Sequence, residues 1–278
     1  YNLDYRTAEY NRNIMAHKLQ YDFSNNFRLH LYELVVYGGY RTIEPYYLLP
    51  FIPFLPIQTY LGDIDNDLIS IGFEYDSQKT GSIFFLLTVD EWSPPYTFEK
   101  ENKNWFVYQL GGQKEDFLLK ESLLRYEYVW SDYRVYQHRF SINNYYSYGY
   151  PLGFWGGAHS EYIFIDYTFP INKVKFTIGY ENSKRGHLTD EMLDNQYNDN
   201  NYVERYSEGF ENKSIYRFNL NFNISQKMNF NIGYNHINWT NPSFVIDTID
   251  YDLIENLIIK DDYYISMRYD LKNNLINN

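Results

Sequence analysis

The sequence predicts an all-β protein, an antiparallel transmembrane β-barrel of the outer-membrane type with about twelve strands. Apolar residues take every second position in run after run, which is the period of a strand with one apolar and one polar face. The connections between the runs alternate between short and long, as in bacterial barrels. Of the 278 residues, 21% are aromatic and 33 are Tyr. Such rings favour the interface between membrane and water.

The clearest hairpin covers residues 216–234. From Tyr216 to Ile224 the even positions are apolar and the odd positions are Arg or Asn, and the alternation resumes from Met228 to Tyr234. A large soluble sandwich or a β-solenoid is the alternative, because it also has strands with one apolar face. Close packing of two sheets needs small residues, and the apolar positions here are mostly Tyr, Phe, Ile and Leu.

The same alternation predicts each strand in turn. The twelve predicted strands cover residues 1–6, 15–23, 27–37, 69–75, 83–89, 105–110, 123–130, 162–165, 174–180, 216–224, 228–234 and 263–271. Polar or turn-forming residues predict short turns at 24–26, 77–81, 113–116, 170–172 and 225–227. We expect one barrel domain over residues 1–271 and a frayed, Asn-rich tail over residues 272–278.

Composition excludes several classes of function. The net charge of −12 disfavours nucleic acid as a partner, because nucleic-acid binding needs a basic surface. The chain has no Cys, so it has no disulfide, no thiolate metal site and no Cys nucleophile. The longest apolar stretch, residues 46–57, is interrupted by Pro50, Pro53 and Pro56 and is too short to span a membrane as a helix. We expect no cofactor.

The long loop over residues 131–160 is the strongest candidate for a binding site. Its aromatic residues are interspersed with Gly and Pro, and flat aromatic rings stack on the C–H faces of sugars. The glycan-binding candidates are Tyr145, Tyr146, Tyr148, Tyr150 and Trp155, with Arg125 and Arg217 facing the lumen as cations for an anionic polymer. The alternative is that the rings form an interface girdle and pack the loop, while the arginines pair with lumen acids such as Glu74, Glu127 and Asp270.

Two further patterns suggest chemistry. Asp63, Asp65 and Asp67 resemble the opening of a calcium-binding loop, although the Gly and the final Glu of that loop are absent, and a solvated turn is the alternative. The segment Tyr234-Asn235-His236 is similar to the Tyr-Asn-His segment of outer-membrane phospholipases. In those enzymes a Ser follows two residues after the His, whereas Asn238 stands there in this chain, so the alternative is a polar His at the barrel rim.

Two stretches resemble the capsule assembly Wzi family of outer-membrane proteins. The first is Glu33–Gly39 followed by Tyr47–Pro53, and the second is Tyr148–Gly153 followed by a strand that begins near Ser160. The chain departs from the family at Leu49, where an Asn usually precedes the first Pro-Phe, and it shows no periplasmic helical bundle. The resemblance implies a larger barrel of about eighteen strands, of which this chain would be the C-terminal part.

The same resemblance implies a non-enzymatic protein in the outer membrane of a Gram-negative bacterium. Its partners would be outer-membrane lipid and capsular or other surface polysaccharide, bound through aromatic extracellular loops. Two alternatives remain open: a porin or channel for small solutes, and a barrel hydrolase that uses His236. We expect the Pro-rich segment 44–56 to fold inward as a plug, which disfavours an open pore.

Overall fold

A computed structural model of the chain describes residues 11–39, 41, 43–97, 104–194, 203–225, 227–242 and 257–269. Among them, eleven strands form one antiparallel sheet and two short strands form a separate hairpin. The strands are β1 (Asn11–Asp22), β2 (Phe27–Gly39), β3 (Asn66–Ser77), β4 (Gly81–Glu91), β5 (Trp105–Glu115), β6 (Leu123–Ser131), β7 (Tyr146–Ser147), β8 (Tyr150–Pro151), β9 (Ser160–Ile171), β10 (Val174–Gly186), β11 (Phe210–Ser225), β12 (Met228–Thr240) and β13 (Leu257–Tyr269).

The strand order of the large sheet follows the chain from β1 to β13, with the β7–β8 hairpin set apart. In the described part of the chain, β1 and β13 each pair with one neighbour, so the sheet is not closed there. The helices are α1 (Phe54–Leu61) and α2 (Asp190–Asp194), and single 3-10 turns lie at Pro45–Leu48, Pro94–Tyr96 and Ser141–Asn143. None of the described helices is both long enough and apolar enough to cross a membrane.

The strand prediction is confirmed for eleven of the twelve runs, and the first predicted strand (residues 1–6) and the tail (residues 272–278) lie outside the described residues. The alternation of connections is also confirmed. Short ones cover 23–26, 78–80, 116–122, 172–173 and 226–227, and long ones cover 40–65, 92–104, 132–159, 187–209 and 241–256.

Two predicted turns lie in the wrong place. The turn expected at 113–116 lies at 116–122, because Gly111 and Gly112 do not end β5. A Cβ at Gly111 would meet the ring of Phe84, and a Cβ at Gly112 would meet the ring of Tyr126, so the two glycines make room for these side chains. The turn expected at 170–172 lies at 172–173, since β9 continues through Pro170, which pairs with Lys175.

The sheet has an apolar face and a polar face. Register places Leu31, Ile71 and Leu87 in one cross-strand row and Ile178 beside Phe218 in another, all on the apolar face. The exposed side chains of this face are mostly Ile, Leu, Phe and Tyr. The opposite, polar face carries charged and amide side chains, as the period of two predicts.

Each face has its own buried cluster at the end of the sheet with the long connections. On the polar face, Val36, Val107 and Val129 pack against loop 132–159. On the apolar face, Val35 and the Pro-rich segment form the second cluster. The expected inward plug is therefore wrong for segment 44–56, because its buried side chains lie beside Val35 rather than Val36. The aromatic loop covers the polar face instead.

Candidate functional site

Loop 132–159, which joins β6 to β9, is held across the polar face at its middle. The hydroxyl of Tyr145 lies 2.6 Å from the carbonyl oxygen of Leu34 and 3.1 Å from that of Asn66. The amide of Asn143 donates to the carbonyl of Ile64 at 2.7 Å. These contacts join the loop to β2, to β3 and to the connection between them, so the loop spans the polar face over β4 and β5.

Arg12 of β1 and Asn66 of β3 add further contacts to the same loop. The guanidinium of Arg12 donates to the main-chain carbonyls of Asn144 and Tyr146. The side-chain amide of Asn66 donates to the carbonyl of Gln137 at 3.3 Å, and it also reaches the carbonyl of Asn143. Main-chain carbonyls that would otherwise be unpaired in a buried place are thus satisfied by polar side chains of the sheet.

A tight hairpin projects from the loop. Strands β7 and β8 pair Tyr146 with Pro151 and Ser147 with Tyr150. The two residues of the turn, Tyr148 and Gly149, have φ of 52° and 78°. Two consecutive residues with positive φ are typical of the primed turns that suit the twist of a hairpin. The side chains of Tyr148 and Tyr150 are 58% and 75% exposed at this tip.

Trp155 lies further along the loop, and its side chain is also largely in solvent. It is 60% exposed, while one part of its ring meets Tyr162 of β9 edge-on, with ring centroids 5.2 Å apart. Phe154 lies on another side at 5.4 Å. The backbone N–H of Phe154 donates to the hydroxyl of Tyr136, whose pKa is raised to about 12 by burial. Trp155 is therefore positioned by packing and still offers an accessible ring.

The end of the loop is fixed by a buried imidazole. Nδ1 of His159 lies 3.0 Å from the carbonyl oxygen of His187, and its Nε2 accepts the backbone N–H of Tyr206 at 3.1 Å. The Tyr206 ring stacks on the imidazole with centroids 4.9 Å apart. Burial, with the cation of Arg205 nearby, lowers the pKa of His159 to about 3. The imidazole is thus neutral and bonds loop 132–159 to loop 187–209.

The predicted aromatic residues divide into two groups. Tyr148, Tyr150 and Trp155 present their rings to solvent. Tyr145 is only 1% exposed, and the hydroxyl of Tyr146 accepts the backbone N–H of Ala158 at 3.3 Å. Tyr145 is buried and Tyr146 is half-buried, and both hold the loop together, so neither presents an exposed ring, contrary to the sequence-based expectation. A Tyr has an apolar body and a polar tip, and sequence alone does not distinguish the two uses.

The predicted cations Arg125 and Arg217 meet at one carboxylate on the polar face. Arg125 donates to Asp166 at 3.0 Å, and Arg217 contacts Asp166 at 3.1 Å and Glu181 at 2.9 Å. Asp166 is buried, and a Cβ at Gly179 would collide with it. The alternative of arginines paired with lumen acids is the one observed, although the main partners are Asp166 and Glu181. Both acids occupy positions that alternate with apolar residues along β9 and β10, and this pattern was the available signal in the sequence.

The acids named from the sequence are engaged elsewhere. Glu74 lies 3.0 Å from Arg28, and Glu127 accepts a hydrogen bond from Gln109 at 2.7 Å. Asp270 lies outside the described residues. The polar face thus carries several separate charged or amide pairs, which is typical of a barrel lumen filled by side chains.

The three aspartates of the possible calcium loop do not converge. Asp65 is fully buried and binds the guanidinium of Arg41 and the hydroxyl of Tyr47, the latter at 2.7 Å. Asp63 is exposed and lies 3.5 Å from Arg139. Within the described ranges, no group of three or more His, Asp or Glu side chains is arranged to hold a metal ion. Both oxygens of Asp65 serve the chain itself, which argues against a calcium site here.

His236 lies on the apolar face of the sheet, opposite Asp261 of β13. Its Nδ1 is 2.8 Å from Oδ1 of Asp261, which also accepts the hydroxyl of Tyr234 at 2.8 Å. A hydrolase of this type needs a nucleophile on the other ring nitrogen. The described residues place no hydroxyl in hydrogen-bond contact with that nitrogen. The arrangement is that of a polar cross-strand cluster.

Comparisons with known proteins agree with this fold. No known protein family matches the chain by sequence, and no curated protein matches it either. Among solved structures, the chain is similar to Wzi of Escherichia coli, described as an outer-membrane, carbohydrate-binding β-barrel involved in group 1 capsule assembly. The identity is 13% and the TM-score 0.50, over 92% of this chain and 51% of that one.

The chain therefore spans about half the length of the structure it matches. At this level of identity the likeness concerns the fold alone. At the level of the fold, the resemblance seen in the sequence is confirmed: the chain has the all-β, antiparallel architecture of the outer-membrane capsule-assembly β-barrel Wzi.

Proposed function

We propose that this chain is a non-enzymatic outer-membrane protein of a Gram-negative bacterium that binds capsular or other surface polysaccharide. The observation that carries the proposal is the aromatic loop: Tyr148, Tyr150 and Trp155 are exposed, while the rest of the loop is fixed to the polar face of the sheet. Rigid aromatic rings lose little conformational freedom on binding. The carbohydrate-binding role stated for the structural neighbour supports the same proposal.

The membrane placement rests on the apolar face. Large apolar side chains are exposed there along strand after strand, for example Ile71, Ile165, Ile178 and Phe218. A water-soluble protein rarely exposes so large a continuous apolar surface. In lipid, the free edges of β1 and β13 need hydrogen-bond partners. We therefore propose that region 1–271 is one domain and forms part of a barrel, in which further strands pair with these two edges.

A porin-like function is less well supported. Loop 132–159 lies across the polar face and is bonded to Leu34, Ile64 and Asn66 on its far side. A lumen bounded by this face would be covered at the end with the long connections. For the hydrolase alternative, the described residues place no nucleophile in contact with His236.

The test uses cells that make the complete protein and their own capsule. We expect the Tyr148→Ala, Tyr150→Ala, Trp155→Ala triple variant to leave the protein in the outer membrane and to shift most cell-bound capsule to the medium. The matched control is Trp92→Ala, because Trp92 is 61% exposed on a different long connection. Equal amounts of cell-bound capsule in the triple variant, the control and the parent protein would refute the proposal.

A further inference from the structure

The Pro-rich connection between β2 and β3 forms a compact apolar unit on the apolar face of the sheet. Its inner side chains are Tyr47, Phe54 and Ile57, which pack on Val35 and Tyr37 of β2. The ring of Tyr47 lies 5.1 Å from that of Tyr37 and 5.3 Å from that of Phe54. We call residues 45–62, which include the Pro45–Leu48 turn and α1, the collar segment.

The collar segment is held in one orientation. The hydroxyl of Tyr47 donates to the buried carboxylate of Asp65, which is also paired with Arg41. In the middle of the segment, the backbone N–H of Leu55 in the first turn of α1 donates to Glu33 of β2 at 3.2 Å. Gly62, with φ of 98°, ends the helix in the left-handed conformation that favours glycine. These contacts therefore fix which side chains of the segment face outward.

That outward side is apolar and exposed. Phe51 is 95% exposed, the highest value among the large apolar residues of the described chain. It is accompanied by Leu48, Leu49, Ile52, Leu55 and Tyr60, all exposed. The segment from Pro45 to Gly62 contains no Asp, Glu, Lys or Arg. An exposed apolar patch of this kind marks a contact with a partner.

The position of the collar segment indicates which partner. Leu31 on the apolar face of β2 is exposed, whereas Val35, four residues nearer the long connections, is buried by the collar segment. On β1, Leu19 is exposed, and the ring of His17 packs on the ring of Phe54 of the collar segment with centroids 4.1 Å apart. The segment therefore continues the exposed apolar band of the strands toward the end of the sheet with the long connections, on the same face.

We propose that the collar segment is an interfacial membrane contact, which places Phe51 and its apolar neighbours at the boundary between acyl chains and headgroups of the outer leaflet. This inference rests on the proposed membrane placement of the apolar face. Uncharged apolar and Tyr-containing segments favour that boundary. Continuity with the lipid-facing strands argues for lipid over a second copy of the chain or another protein.

Single-cysteine labelling tests the proposal, and residues 1–278 contain no Cys that would add background. A nitroxide is attached to Phe51→Cys, Ile71→Cys or Lys120→Cys in the complete protein, reconstituted in vesicles of phospholipid and lipopolysaccharide. Ile71 lies on the exposed apolar face, and Lys120 lies in a short connection in solvent. Power saturation then compares contact with oxygen, which concentrates in lipid, and with a water-soluble nickel chelate.

We expect the Phe51 label to resemble the Ile71 label, with an oxygen-to-nickel accessibility ratio several-fold above that of Lys120. A Phe51 label as accessible to nickel as Lys120 overturns the inference, and so does one shielded from both reagents. Dipolar broadening between Phe51 labels would assign the surface to a second copy and overturn it too. A nickel-accessible Ile71 label would instead refute the membrane placement itself.

Discussion

His159 illustrates how single residues position the loops. Its neutral imidazole accepts one backbone hydrogen bond, and its other nitrogen lies within hydrogen-bond distance of a carbonyl, so a protonated ring would lose the bond from Tyr206. The cations of Arg205 and Lys184 and the imidazole of His187 lie near it and oppose a further positive charge. Burial is the largest cause of the low pKa.

This residue gives a pH prediction. The unfolded chain binds a proton at His159 below about pH 6.5, whereas the folded protein excludes it down to about pH 3. Stability is therefore lost as the pH falls through that window, by about 1.4 kcal/mol per pH unit. Between pH 6.5 and pH 5, the free energy of unfolding in detergent and urea should fall by about 2 kcal/mol more in the parent than in His159→Gln. The same pH dependence in both proteins would contradict this assignment.

The sequence pattern predicted the aromatic loop but did not separate the buried rings of that loop from its exposed rings. Trp155 and Tyr150 were correctly placed in an exposed loop, while Tyr145 was assigned to the same surface and is buried. The difference arises from contacts with Leu34 and Asn66, more than seventy residues away along the chain. Such long-range contacts have no local signal in the sequence.

The elements of the sheet were predictable because a sheet with one apolar and one polar face imposes a period of two on its strands. Helix α1 was not predictable, although most of its residues are apolar. Pro56 is the third residue of the helix, where its missing N–H has no acceptor within the helix. The eight residues are too few to form a helix alone, and their stability comes from packing on Val35 and Tyr37.

The loop itself can be tested with a matched pair of substitutions. Tyr145→Ala removes a buried ring and its hydroxyl contacts, which should cost about 3–5 kcal/mol and detach the loop from the polar face. Tyr150→Ala, in the exposed hairpin, should cost less than about 0.5 kcal/mol. Limited proteolysis of the folded protein in detergent is the measurement. We expect rapid cleavage within residues 132–159 in Tyr145→Ala only, and equal cleavage in the two variants would contradict the assigned anchor.

For the whole molecule, strand order followed from the alternating connections, since consecutive antiparallel strands joined by short turns are neighbours. The side on which each long connection folds was not predictable. Segment 44–56 and loop 132–159 are both rich in aromatic residues, yet one lies on the apolar face and the other on the polar face. The face that each connection covers is set by the contacts of its buried tyrosine: Tyr47 packs beside Val35 on the apolar face, and Tyr145 contacts Leu34 and Asn66 on the polar face.

The described chain then presents two exposed aromatic surfaces, one on each face of the sheet. The collar segment continues the apolar face and is proposed to meet lipid, whereas the hairpin tip and Trp155 stand on the polar side and are proposed to meet polysaccharide. The net charge of −12 favours neutral contacts over attraction of an acidic polymer. The pairing of Arg125 and Arg217 with Asp166 points the same way. We therefore expect stacking on sugar rings to dominate the binding.

The most direct test is the binding of purified capsular polysaccharide, from the strain that encodes the chain, to the purified full-length protein in detergent. Titration calorimetry on the parent, Trp155→Ala and Trp92→Ala proteins compares two Trp residues of equal exposure. We expect Trp155→Ala to bind at least about tenfold more weakly, which is about 1.4 kcal/mol, and Trp92→Ala to bind as the parent does. Unchanged affinity in Trp155→Ala, or no binding by the parent protein, would contradict the account.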